Sequence, residues 1–230
     1  MGANQTFVIT NLVRGLAALS LALAPLAATA PAQARVAEPT VLPIGVAVSA
    51  LPLGTESRDG YTRSAFRHWN AGANPSDGCN TRAEVLISEA VTAPTIVPRC
   101  TLTGGSWSSY YDEQMVTSAS GLDIDHMVPL AEAWDSGASA WTAARREAYA
   151  NDLGQASSLV AVTARTNRSK ADQDPAEWLP PAAGALCRYA SEWTATKLRW
   201  DLTVDELEKD RLLDIAAGCG GDTVTYTPAP

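Results

Sequence analysis

Residues 123–130 read DIDHMVPL and residues 166–173 read TNRSKADQ, and these two stretches hold the side chains best suited to chemistry. His126 is one of two histidines in 230 residues, and it stands beside Asp125 inside what otherwise reads as a buried strand. A neutral imidazole, with an ordinary pKa near ~6.5, is a base at physiological pH. Asp125 offers a carboxylate oxygen and Asn167 an amide oxygen. Two hard oxygens plus water suit one divalent cation, Mg2+ or Mn2+, and do not suit a tight zinc site. Lys170 follows Asn167 on about the same face of a helix, where its ammonium is expected to meet a phosphate oxygen, with Arg168 beside it. Metal, neutral base and cation together fit phosphodiester hydrolysis. His126 takes a proton from water, the metal stabilises the leaving oxygen, and Lys170 with Arg168 offsets charge on the phosphate.

The elements around these residues must bring them together. DIDHMVPL alternates, with Leu122, Ile124 and His126 on one face and Asp123 and Asp125 on the other. For Asp125 and His126 to reach one phosphate, the strand must end or twist near Pro129. SLVAVTA, residues 158–164, reads as a second strand, and Thr166 is expected to cap a helix opening NRSKADQDPAEW. Strand, insertion, strand and helix then surround one cleft. The insertion, residues 131–153, is helix-prone with a break at Gly137 and a cap at Ser139.

Upstream, TRAEVLISEAV begins with the capping box Thr81 and Glu84, although Val85–Ile87 would equally make a short strand. CTLTGGSWSS and its continuation read as two strands joined at Gly104–Gly105. Downstream, residues 186–201 form an amphipathic helix with Tyr189, Trp193 and Trp200 on one stripe, and Thr203 with Glu206 boxes the start of another. Residues 35–57 read as a partly ordered lead-in, residues 58–220 as a single domain, and residues 221–230 as a flexible tail.

Residues 1–34 carry no acid, one base (Arg14), an apolar run and the small-residue site Ala32-Gln33-Ala34, the pattern of a secretory signal peptide. Cleavage there leaves 196 residues, secreted, with no membrane span and expected to be a monomer. The whole-chain charge of −8 becomes about −9 without that leader. This argues against tight, non-specific DNA binding, but leaves room for an enzyme that touches phosphates briefly. Four cysteines suit two disulfides in an exported chain, and local loops favour Cys79–Cys100 with Cys187–Cys219. No CxxC spacing supports zinc. Neither GxSxG nor HExxH occurs.

DIDHMVPL followed by SLVAVTARTNRSKADQ resembles the HNH, or ββα-metal, nuclease motif, in the variant with Asp for the first His and Asn for the last. The nuclease module of RNA-guided CRISPR effectors is similar. Over residues 60–215 the chain resembles secreted actinobacterial HNH endonuclease-family proteins with a GmrSD-like C-terminal domain. The resemblance implies an α+β fold, a small ββα-metal (HNH) core surrounded by helices and clipped by two disulfides. It implies Asp125 and Asn167 as metal ligands, His126 as general base and Lys170 as catalytic support. It also has one departure. HNH nucleases often place an Asn at the start of the second strand, orienting the base and pinning the loop; here Ser158 stands nine residues before Asn167. Asn151, Asp152 or a backbone carbonyl are the alternatives for that task, or it is unfilled.

His126 alone would be a satisfied core histidine; Asp125 and the later NRSK favour the site reading. Arg82, flanking Cys79 and paired in sequence with Glu84, is either part of a capped helix fixed by a disulfide or an arginine aimed at phosphate. His68 is structural or a weak substrate contact. The expectation is a secreted metal-dependent endonuclease acting on nucleic acid, DNA ahead of RNA. The alternatives are a catalytically weak or inactive HNH-fold binding module, and a secreted hydrolase of another phosphodiester or of wall material.

Overall fold

The computed structural model of the protein describes residues 1–3 and 38–230. Apart from its first three residues, the expected signal peptide lies outside the described residues. β1 (Thr40–Pro43) runs directly into α1 (Ile44–Ala50). Ile44, Ala47, Val48 and Leu51 are all buried, at the i, i+3, i+4, i+7 spacing of an amphipathic helix. The lead-in is therefore part of the core. β8 (Thr223–Tyr226), near the other end, pairs antiparallel with β1, Thr40 opposite Tyr226. The tail, expected to be flexible, is hydrogen-bonded to the domain: Arg199 Nη1 donates to the Thr227 carbonyl at 2.6 Å, Ala229 N–H donates to the Arg199 carbonyl, and Arg145 Nη1 donates to the Pro230 carbonyl.

α2 (Thr81–Ser88) settles the helix-or-strand choice for Val85–Ile87 in favour of helix. Its cap is Asn80, whose side chain accepts from Ala83 N–H at 2.9 Å, so the box does not start at Thr81. β2 (Thr95–Val97) and β3 (Thr101–Thr103) form one hairpin, and β4 (Trp107–Ser109) and β5 (Gln114–Val116) another. The expected hairpin across Gly104–Gly105 is absent. The first turn falls instead at Arg99 and Cys100, both at positive φ (64° and 54°), and Cys100 is bonded to Cys79.

β6 (Leu122–His126) leads through Pro129 into α3 (Leu130–Asp135), then α4 (Ala143–Ala150), capped by Thr142 and not by Ser139. β7 (Leu159–Thr163) returns antiparallel to β6 and passes into α5 (Ala164–Lys170), capped by Thr163 and not by Thr166. α6 (Leu186–Trp200) buries Tyr189, Trp193 and Trp200, as its stripe predicts. α7 (Glu206–Ala217) is capped by Asp205, which accepts from Glu208 N–H at 2.7 Å, in place of the Thr203 box. The second disulfide joins Cys187 to Cys219. The fold is thus α+β: helices around small antiparallel sheets, with two disulfides in the expected pairing.

The β6–β7 sheet is buried on both faces. Leu122, Ile124, Leu159 and Ala161 pack with Val85, Leu86 and Trp107, while Val160 and Val162 join the main core around Tyr149, Tyr189 and Trp193. Glu89, just past α2, ties that helix to the sheet by accepting from Ala161 N–H at 2.8 Å. Burial pushes the Glu89 carboxyl up to about 7, against the pull of that N–H. An acid whose folded pKa lies above its unfolded value of roughly 4.3 loses folded-state stability as pH rises from the lower value to the higher. Glu89→Gln keeps the acceptor and removes the charge. It is expected to stabilise the fold at pH 8 by roughly 1–2 kcal/mol, with the gain vanishing below pH 5, as read from melting curves at the two pH values.

Candidate active site

Among the described residues β7 is the one strand that pairs with β6, whose other edge is free there. A cleft of about 190 Å³ is lined by the consecutive residues Ile124, Asp125 and His126, together with Pro129, Asn167, Arg168 and Arg63. A cleft on a sheet face would meet every second residue; three in a row mean it runs along the edge. This resolves the alternation problem. Asp125 shares a face with Val160 and His126 with Leu159, yet both residues line a groove seen edge-on. The departure expected at Pro129 comes three residues earlier, where β6 ends at His126, and Pro129 starts α3.

Lys170 ends α5 pointing inward and is 0 % exposed. Its ammonium donates to Asp125 Oδ2 at 2.5 Å, to the Met127 carbonyl at 2.8 Å and to the His126 carbonyl at 3.1 Å. An ammonium has three donors, and all three are engaged. The expected contact between Lys170 and phosphate is therefore replaced by an internal one. Tyr111 Oη donates to the same Asp125 oxygen at 2.6 Å, and Oδ1 takes no hydrogen bond among the described residues. Burial raises the Asp125 pKa, and Lys170 and Tyr111 pull it back.

His126 Nε2 lies 3.0 Å from the Ala150 carbonyl. A carbonyl only accepts, so Nε2 carries the proton and Nδ1 keeps its lone pair. Burial pushes the imidazole pKa down to about 3, so the ring is neutral at ordinary pH. Trp69 lies over it at 5.5 Å between centroids, Tyr149 stacks at 6.4 Å and His68 stands edge-on at 6.3 Å. Trp69 holds a left-handed φ of 61°, unusual for a bulky residue.

The loop that supplies the Ala150 carbonyl is held from both sides. Asn151 Oδ1 accepts from Asn70 N–H and Thr81 Oγ1, both at 2.9 Å, and its Nδ2 donates to the carbonyls of Arg67 and Glu147. Asp152 accepts from Ser158 Oγ (2.6 Å), Arg199 (2.7 and 2.8 Å), Trp200 Nε1 and Gly154 N–H (both 3.0 Å). Ser158 thus serves Asp152 and does not touch the histidine. Of the alternatives for orienting the base, the backbone carbonyl takes the imidazole, while Asn151 and Asp152 pin its loop.

Asn167 lies on α5 at the cleft, its Nδ2 making a long 3.4 Å contact to Asp123 and its amide oxygen left unengaged among the described residues. Arg168 is 75 % exposed and touches Asp123 at 3.3 Å. Arg82 is turned away from the cleft; its Nη2 donates to the carbonyls of Ala119 and Leu122, tying α2 to the start of β6. The sequence reading passed over Arg63, an exposed cation at the cleft, and Trp69, the cover on His126. The aromatic and basic run from Tyr61 to Asn70 was their only signal.

Residues 92–215 match the family described as GmrSD restriction endonucleases, C-terminal domain, a stretch running from before β2 to near the end of α7. A protein of the fungus Arthroderma benhamiae, described as an uncharacterized secreted protein, is 42% identical over 162 residues, covering 70% of this chain and 77% of its own length. No solved structure matches. On the strength of the family match and the extent of the fungal relative, the chain belongs to the GmrSD C-terminal domain family.

Proposed function

We propose that the protein is a secreted, metal-dependent endonuclease of the HNH, or ββα-metal, type, acting as a monomer on DNA and secondarily on RNA. One observation carries this reading: Asp125, His126 and Asn167, from a strand end and a helix forty residues on, line a single cleft. The family membership supports nuclease chemistry. The secreted relative and the two disulfides support export, and among the described residues no helix is long and apolar enough to cross a membrane.

The donor set fits one hard divalent cation. Asp125 Oδ1 and the Asn167 amide oxygen are free of protein hydrogen bonds among the described residues, and no thiolate is near them. Asp125 and Asn167 would hold Mg2+ or Mn2+ there, and the ion would supply Lewis-acid stabilisation of charge on the phosphate. His126, neutral and fixed through Nε2, presents Nδ1 to take the proton of the attacking water. Arg63 and Arg168, exposed at the cleft, face the phosphate backbone. Lys170 acts through Asp125 as a positioning residue, holding Oδ2 so that Oδ1 faces the groove. A binding-only module loses one of its supports, because the Ala150 carbonyl orients the base without the missing Asn.

His126→Ala is expected to lower plasmid nicking in Mg2+ or Mn2+ by about 10²–10⁴-fold with the circular dichroism spectrum unchanged. Absence of metal-dependent cleavage of both plasmid and RNA by the purified wild type would falsify the proposal. Lys170→Met strands the Asp125 charge and is expected to cost about 3–5 kcal/mol in denaturant unfolding, far more than a change to a residue that met only solvent and substrate. Arg63→Ala combined with Arg168→Ala should raise KM several-fold and leave kcat within about twofold, the difference shrinking as salt rises.

A further inference from the structure

A second group of acids shares no residue with the cleft. Carboxylate oxygens of Glu56, Glu132 and Asp135 lie within 4.8 Å of one another, and Glu56 stands equally close to Asp174 and Asp205. The five come from the loop after α1, from α3, from the segment after α5 and from the cap of α7.

Most of these acids spend one oxygen on the protein and keep the other. Glu132 Oε1 takes Ser136 and Lys197, Asp135 Oδ2 takes Arg58, Asp174 Oδ1 takes two backbone N–H groups and Asp205 Oδ1 takes Glu208 N–H. Among the described residues only four buried side-chain atoms lack a partner, and two belong here: Glu56 Oε1 and Asp135 Oδ1. The Asp135 side chain is 6 % exposed, so its free oxygen has no recourse to solvent. A buried carboxylate oxygen with no donor is destabilising unless water or an ion meets it. Among the described residues Lys197 and Arg58 are the cations paired with Glu132 and Asp135, and each is shared, Lys197 with Glu208 and Arg58 with Asp172.

We infer that this cluster is a second cation site, binding a hard divalent cation of the calcium class through Glu56, Glu132 and Asp135. The donors are all oxygen, with no histidine or thiolate, which excludes a zinc-like preference. Calcium takes six to eight oxygens in irregular arrangements, whereas magnesium demands a near-octahedral shell and holds its water. The ion would clip the loop after α1 to α3, beside the cap of α7.

The test uses chelator-treated mature protein carrying Asn167→Ala, which removes an amide ligand of the proposed cleft metal. Titration with CaCl2 by calorimetry is expected to show one Ca2+ per chain, with a saturable rise in melting temperature. Glu56→Gln and Asp135→Asn, each added to that chain, should weaken Ca2+ binding by about tenfold or more. Glu56→Gln relieves repulsion and so should fold. No saturable Ca2+ response in the Asn167→Ala chain, or an unchanged one with Glu56→Gln, overturns the inference. Cleavage is not the readout, so failure of the nuclease proposal would leave this result intact.

Discussion

A lysine ammonium removed from water must find an acceptor for each of its three protons, and the centre of this domain is arranged to supply them to Lys170. Two are the carbonyls of His126 and Met127, at the point where β6 stops, and the third is Asp125. The rings of Tyr111, Tyr189 and Trp193 surround the charge within 6 Å. Lys197 repeats the arrangement, also within 6 Å of the Trp193 ring, meeting Glu132, Glu208, Ser136 and the Thr203 carbonyl. Buried pairs of this kind contribute little net stability compared with apolar packing, but they admit few alternative arrangements. They fix the end of β6, the roll of α5 and the roll of α6 at once, and so fix which oxygen of Asp125 faces the groove.

That Asp125, His126 and Asn167 would meet at one cleft was legible in the sequence, because residue type and spacing carry it: a histidine beside an acid, then Asn167 some forty residues later. The role of Lys170 was not, because spacing places two side chains on one helix face without saying which of them turns into the core. The Ala150 carbonyl was invisible for a plainer reason: every residue has one, and only the fold brings this one to His126. The helix caps were misplaced by one to three residues at Asn80, Thr142, Thr163 and Asp205, each lying next to or near another good capping residue. The 44, 47, 48, 51 periodicity of α1 was present to be read, but the Pro, Ala and Val content around it masked the pattern.

Burial and hydrogen bonding act on His126 in complementary ways. Enclosure by Trp69, Tyr149 and His68 disfavours its charged form, and the Ala150 contact settles which nitrogen is protonated. Neither effect needs a charged partner for the ring. The acid next to it in sequence is engaged elsewhere, by Lys170 and Tyr111, so adjacency in the chain does not become a hydrogen-bonded pair in space. The loop held by Asn151 and Asp152 thereby links a distant arginine, Arg199, to the orientation of the imidazole.

The pairing of β1 with β8 also sets a timetable. The strand at Thr40–Pro43 leaves the ribosome among the first described residues, and its partner at Thr223–Tyr226 among the last. Until Thr223–Tyr226 emerges, β1 has no partner strand and α1 has no β8 to pack beside. Closure joins segments separated by nearly the whole domain, the slowest kind of contact to form. This sheet therefore closes only after Thr223–Tyr226 has been made, so the N-terminal strand and helix of the domain wait on its C-terminal strand to complete their packing.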